Sequence, residues 1–71
     1  MPTIVKSLHI EANTPLELFK ADRAVQSLVD VSRSQIVGMF DHSCVKVNGA
    51  PCLEPWRRLI AGDTVEVRYD S

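Results

Sequence analysis

Residues 45–49 read VKVNG, and this stretch decides most of the fold. Asn-Gly is the preferred pair for a two-residue type I′ turn, because both central positions need a positive φ. Such a turn pairs Val47 with Ala50 and Val45 with Cys52 across a hairpin. Because paired residues point to the same side of a sheet, we expect these four side chains to share a buried face.

Strands are also predicted towards both ends of the chain. The pair Gly62-Asp63 is typical of a turn and precedes the alternating apolar and polar residues 64–69, which predict a closing strand. Residues 3–10 alternate in the same way, but Lys6 interrupts the apolar side. We therefore expect an additional N-terminal strand that lies at the edge of the sheet.

A first helix is predicted over residues 15–28. Thr14 is a suitable N-cap, Pro15 fits the first helical position, and Glu17 completes a capping box. Apolar residues then recur at three- and four-residue steps and predict one buried stripe, formed by Leu18, Ala21, Val25 and Leu28.

A second helix is predicted to begin after Ser32, whose hydroxyl can cap the amide of Gln35 while the Gln35 side chain reaches back. Ile36 and Phe40 supply its apolar side, and the pattern ends at residues 41–43. Together these elements predict an α+β fold: two packed helices, then a β-hairpin and a closing strand. We expect one domain spanning residues 1–71.

Composition limits the class of protein. The 71 residues are 45% hydrophobic and 24% charged, which is ordinary for a globular domain, and the formal net charge is −1. A weakly acidic chain does not attract nucleic acid from afar, so any RNA affinity must come from a local basic patch. Neither a signal peptide nor a membrane span is recognisable, and we expect a cytoplasmic location without a membrane partner.

Three motifs in order resemble the S4 RNA-binding domain family. They are Ser-Arg at residues 32–33, VKVNG at residues 45–49 and GDTVEV at residues 62–67, and the matching core covers about residues 30–69. The N-terminal strand and the sequence around Ser32 are most similar to the N-terminal domain of pseudouridine synthases. The chain departs from the family pattern at residues 19–21 (FKA in place of Arg-Leu-Asp) and at Ser43, where the family usually has glycine.

The resemblance implies a small domain with the αL motif that docks on structured RNA, either ribosomal or transfer RNA, on the ribosome or beside a catalytic partner domain. Helix starts and exposed cations suit phosphate contacts, and shape recognition suits a folded RNA. The predicted RNA-binding residues are Arg33, Lys46, Ser32, Gln35, Asn48, Lys20, Arg23, Arg57 and Arg58.

Each prediction has a structural alternative. Arg33 can pair with Asp30, and Glu17 and Asp22 can neutralise the cations of the first helix. Trp56 lies beside two arginines and invites base stacking, but a small domain usually places its one tryptophan in the core, and we expect that here.

No catalytic, metal or cofactor site is predicted. The hairpin register places Cys44 and Cys52 on opposite faces, which argues against both a zinc site and a disulfide. Residues 41–43 contain the residue types of a catalytic triad, but neighbours in sequence cannot align as a triad requires. We expect a non-enzymatic domain.

Three other functions stay open at this point. The chain is compatible with the docking domain of a truncated pseudouridine synthase. The motifs at residues 48–49 and 62–67 also resemble the closing half of a β-grasp protein-interaction domain. The third alternative is a degenerate S4 domain that now binds protein. Two packed helices before the hairpin would argue against the β-grasp alternative.

Overall fold

In residues 2–70, which a computed structural model describes, four strands form one antiparallel sheet, and two α-helices pack on one of its faces. The elements are β1 (Thr3–His9), a 3₁₀-helix (Leu16–Phe19), α1 (Ala21–Leu28), α2 (Arg33–Asp41), β2 (Val45–Val47), β3 (Ala50–Pro51) and β4 (Thr64–Asp70). The predicted α+β fold, with two helices before a hairpin and a closing strand, is confirmed.

The sheet order is β1-β4-β2-β3, so β1 lies at an edge as predicted. β1 and β4 pair along their full length, from Thr3 opposite Asp70 to His9 opposite Thr64. Lys6 is exposed within this edge strand, where a charge discourages pairing with another chain.

The prediction of one continuous helix over residues 15–28 is wrong. Lys20 is extended (φ −109°, ψ 135°) and separates the 3₁₀-helix from α1. The cause is a pairing distant in sequence, because Lys20 forms an antiparallel bridge with Arg58. The capping box at Thr14 and Glu17 is also wrong, since the Thr14 hydroxyl accepts a hydrogen bond from the Glu11 amide instead (2.8 Å).

The predicted start of α2 is confirmed. The Gln35 amide donates to the Ser32 hydroxyl (3.4 Å), and the Ser32 amide donates to the Gln35 side-chain oxygen (3.1 Å), which completes the capping box. Ile36 and Phe40 are buried, and the helix ends at Asp41.

The hairpin has the predicted register, with Val47 opposite Ala50. Asn48 (φ 54°) and Gly49 (φ 83°) both adopt the positive φ that a type I′ turn requires. One detail is wrong: Ala50 is exposed, and it lies in β3, a two-residue strand at the edge of the sheet. Cys52 is buried as predicted, and both cysteines are free.

A single core fills the space between the sheet and the helices. Its larger side chains come from both layers: Ile10, Val25, Ile36, Phe40, Val45, Val47, Val65 and Val67. Trp56 is not part of it, so the expectation of a core tryptophan is wrong. Neither α-helix in the described chain is long and apolar enough to cross a membrane.

Candidate nucleic-acid interface

The segment between β3 and β4 is fixed against the start of α1 by backbone hydrogen bonds. The Ala21 amide donates to the Arg57 carbonyl and the Asp22 amide donates to the Pro55 carbonyl, each at 2.9 Å. One bond runs the other way, from the Leu59 amide to the Phe19 carbonyl (2.7 Å). Residues 55–59 therefore lie along residues 19–22, although about 35 positions separate them in sequence.

This pairing places five of the eight basic residues on chain segments that meet at the first turn of α1. Lys20 and Arg58 are bridge partners, and Arg57 and Arg23 flank them on the two chain segments. Arg33 reaches the same turn from the start of α2 by contacting Asp22. We call Lys20, Arg23, Arg33, Arg57 and Arg58 the basic cluster; all five are exposed.

Arg33 forms an ion pair within the basic cluster. Its guanidinium lies 3.0 Å from the Asp22 carboxylate, and the two side chains are 57% and 13% exposed. The alternative predicted an ion pair of Arg33 with Asp30, and that partner is wrong. Arg33 pairs with Asp22 instead, because the packing of the two helices brings Asp22 within reach. Since most of the Arg33 side chain faces solvent, the guanidinium keeps surface available to a second anion.

The first amides of α1 are already occupied and cannot bind a phosphate. Ala21 and Asp22 donate to the loop carbonyls, and the Arg23 amide donates to the Asp22 carboxylate (2.9 Å). Ser32 and Gln35 are similarly engaged with each other in the capping box of α2. An anion at the basic cluster would therefore be held by arginine and lysine side chains.

The side chain of Asn48 holds the hairpin to β4. Its amide nitrogen donates to the Asp63 carboxylate (2.8 Å), and its oxygen accepts from the Thr64 amide (2.9 Å). The Ile60 backbone N–H, then the Asn48 side chain, hold the pKa of Asp63 below its ordinary value of 3.8; Arg57 adds to this and desolvation opposes it.

Lys46 is placed apart from the basic cluster. Its neighbours Val45 and Val47 are buried under the helices, so Lys46 points to the opposite face of the sheet. There it lies opposite Glu66, and it lines a shallow pocket that also contains Arg68 and Asp70. The structure thus brings five predicted residues together and leaves Lys46 and Asn48 outside that group.

Two features beside the basic cluster were not predicted from the sequence. A cleft of about 330 Å³ is lined by three apolar residues, Leu16, Phe19 and Leu59, and by two cations, Lys20 and Arg58. Beside it in the chain, Trp56 is 73% exposed. The available signal for its exposure was its place between Pro55 and two arginines, which is typical of a turn.

Metal binding has no support in the described residues 2–70, where no group of three or more His, Cys, Asp or Glu side chains is close enough to hold an ion. Comparison with known proteins adds nothing to the geometry: no family model, curated protein or solved structure matches the chain.

Proposed function

We propose that this chain is a non-catalytic module that binds structured RNA, ribosomal or transfer RNA, by docking the sugar-phosphate backbone on the basic cluster. The observation that carries the proposal is that three separate parts of the sequence, which together carry five exposed cations, meet at the first turn of α1. Phosphate contacts from arginine and lysine supply most of the affinity of such proteins.

The charge distribution limits the strength of the proposed binding, since the net charge of the chain is −1. Glu17, Asp22, Asp30 and Glu54 lie in the same stretches of chain as the five cations, which leaves a local excess of one positive charge, and the charge of Arg57 also acts on Asp63. An attraction of this size acts only near the surface, because salt screens it beyond about 10 Å. The proposed binding is therefore weak when the domain acts alone.

The order of elements supports RNA binding over the β-grasp alternative. Two packed helices precede the hairpin, and the second begins at Ser32-Arg33 with a capping box. This is the arrangement that the resemblance to the S4 family implies, and a β-grasp domain would not be expected to have it. We propose, on the same resemblance, that the domain docks RNA for a catalytic partner domain or for the ribosome in the cytoplasm.

The test is a titration of a labelled RNA hairpin with the domain at several salt concentrations, followed by fluorescence anisotropy. With about three phosphate contacts and about 0.7 ions released per contact, the slope of log K against log salt should be near −2. Absence of binding at low salt, or an affinity that salt does not change, would rule out the proposed function.

A further inference from the structure

Trp56 lies at the apex of a turn that is fixed in place, yet its indole is left in solvent. The carbonyls on either side of it, those of Pro55 and Arg57, accept hydrogen bonds from the first two amides of α1. Trp56 itself is 73% exposed and is absent from the core. A large aromatic side chain is thus held out on a rigid support without contributing a packed side chain to the fold.

The residues that follow this indole in the chain belong to the basic cluster. Arg57 and Arg58 follow Trp56 directly, and Arg58 lines the apolar cleft together with Lys20. Two arginines are therefore the next two residues after one exposed aromatic ring.

We infer that Trp56 is a stacking platform for an unpaired base of the bound RNA, with the phosphate next to that base held by Arg58. This inference rests on the proposed RNA-binding function and narrows its target. Every base has a π-face that can stack on an aromatic side chain, so stacking needs no particular sequence. The preferred RNA then carries a bulge, a loop or a free end beside its helix, because the bases of a continuous duplex are not available.

Charge complementarity favours a nucleotide over a protein as the occupant. A protein surface that covered Trp56 would also cover Arg57 and Arg58, and it would have to supply carboxylates to offset their desolvation. A nucleotide carries its phosphate a few bonds from its base. It therefore meets the aromatic ring and the adjacent guanidinium groups together.

The experiment uses Trp56 as its own probe, because it is the one tryptophan in the chain. The domain is titrated at low salt with a fully paired RNA hairpin and with the same hairpin carrying a short bulge of unpaired adenosines. Trp56 emission reports stacking, and anisotropy of the labelled RNA reports affinity. Trp56→Ala and Trp56→Phe are measured beside a matched control, Val37→Ala, which truncates an exposed apolar side chain on α2.

The bulged hairpin should quench the emission of Trp56. Its affinity for the domain should be higher than that of the paired hairpin by about fivefold or more. Trp56→Ala should remove this preference while retaining salt-dependent binding of the paired hairpin, Trp56→Phe should keep part of it, and Val37→Ala should keep all of it. Unchanged emission at saturating bulged RNA, or a preference that survives in Trp56→Ala, would overturn the inference and leave backbone docking intact. If neither RNA binds, both the proposed function and the inference fail. If Trp56 emission is instead quenched when the domain associates with itself in the absence of RNA, Trp56 lies in a contact between proteins, and the inference is also overturned.

Discussion

Asn48 shows why a residue in a predicted binding motif need not contact a ligand. Both polar atoms of its side chain are engaged, one with Asp63 and one with the Thr64 amide. Its positive φ is a second structural requirement of the turn. At this position the same residue type that suggested an RNA contact is explained by the link between the hairpin and β4.

Substitution of Asn48 should therefore change stability and leave RNA affinity unchanged. Asn48→Gly keeps the backbone conformation but loses two hydrogen bonds, and should lower the free energy of unfolding by about 1 kcal/mol. Asn48→Ala adds the strain of a positive φ, for a total of about 2 kcal/mol. Urea denaturation measures both, and an Asn48→Ala protein as stable as the wild type would contradict the structural role.

Asp63 gives the fold a specific pH dependence. Because its pKa is lowered in the folded state, the carboxylate contributes stability above the ordinary value of 3.8, and that contribution is lost as the pH falls through the folded pKa. Removing the charge with Asp63→Asn should therefore cost stability near neutral pH and cost less in acid.

Urea unfolding of both proteins at about pH 6 and about pH 3 tests this, since other carboxyl groups titrate alike in the two proteins and cancel in the difference. We expect the gap in unfolding free energy to narrow at the lower pH. A difference in unfolding free energy that stays constant or widens would contradict a stabilising role of the hydrogen-bonded Asp63 carboxylate.

At the scale of elements, the parts set by short-range sequence were predictable. The capping box of Ser32 and Gln35 determines where α2 begins, and the Asn48-Gly49 pair determines the hairpin register. Both signals lie within four residues of the structure they specify. The edge position of β1 was predictable for a similar reason, from the exposed Lys6 within the strand.

The break before α1 was not predictable, because its cause lies far away in sequence. Lys20 is extended to pair with Arg58, and no local pattern indicates that partner. The same pairing carries Trp56 to the surface and assembles the basic cluster. Sequence patterns thus identified the charged residues of the candidate site but not which of them come together.

Ser32 allows a direct test of the contribution of the cap to α2. Ser32→Ala removes the acceptor for the Gln35 amide and should lower the free energy of unfolding by about 1 kcal/mol. Ser34→Ala is the control in the same turn: Ser34 caps no amide, its one side-chain hydrogen bond among the described residues is a long one to the Ser32 hydroxyl (3.3 Å), and its loss should change stability by less than about 0.5 kcal/mol. Equal effects of the two substitutions, measured by thermal unfolding, would show that the capping box adds little.

At the scale of the whole molecule, folding distributes the cations of a nearly neutral sequence between two surfaces. The basic cluster lies at the start of α1, while Lys46 occupies the opposite face of the sheet among Glu66, Arg68 and Asp70. The two surfaces are separated by the core. They therefore offer two distinct places where an RNA backbone could be docked, of which we propose the first.

The most direct measurement compares Arg58→Gln with Lys46→Gln in binding the RNA hairpin at low salt. Each substitution removes one positive charge. Glutamine is chosen over an acidic residue so that position 46 does not gain a carboxylate opposite Glu66. Arg58→Gln should weaken binding about fivefold, the effect of one contact of about 1 kcal/mol, while Lys46→Gln should weaken it less than about twofold. An equal or larger loss in Lys46→Gln, with both proteins folded by circular dichroism, would contradict docking at the basic cluster.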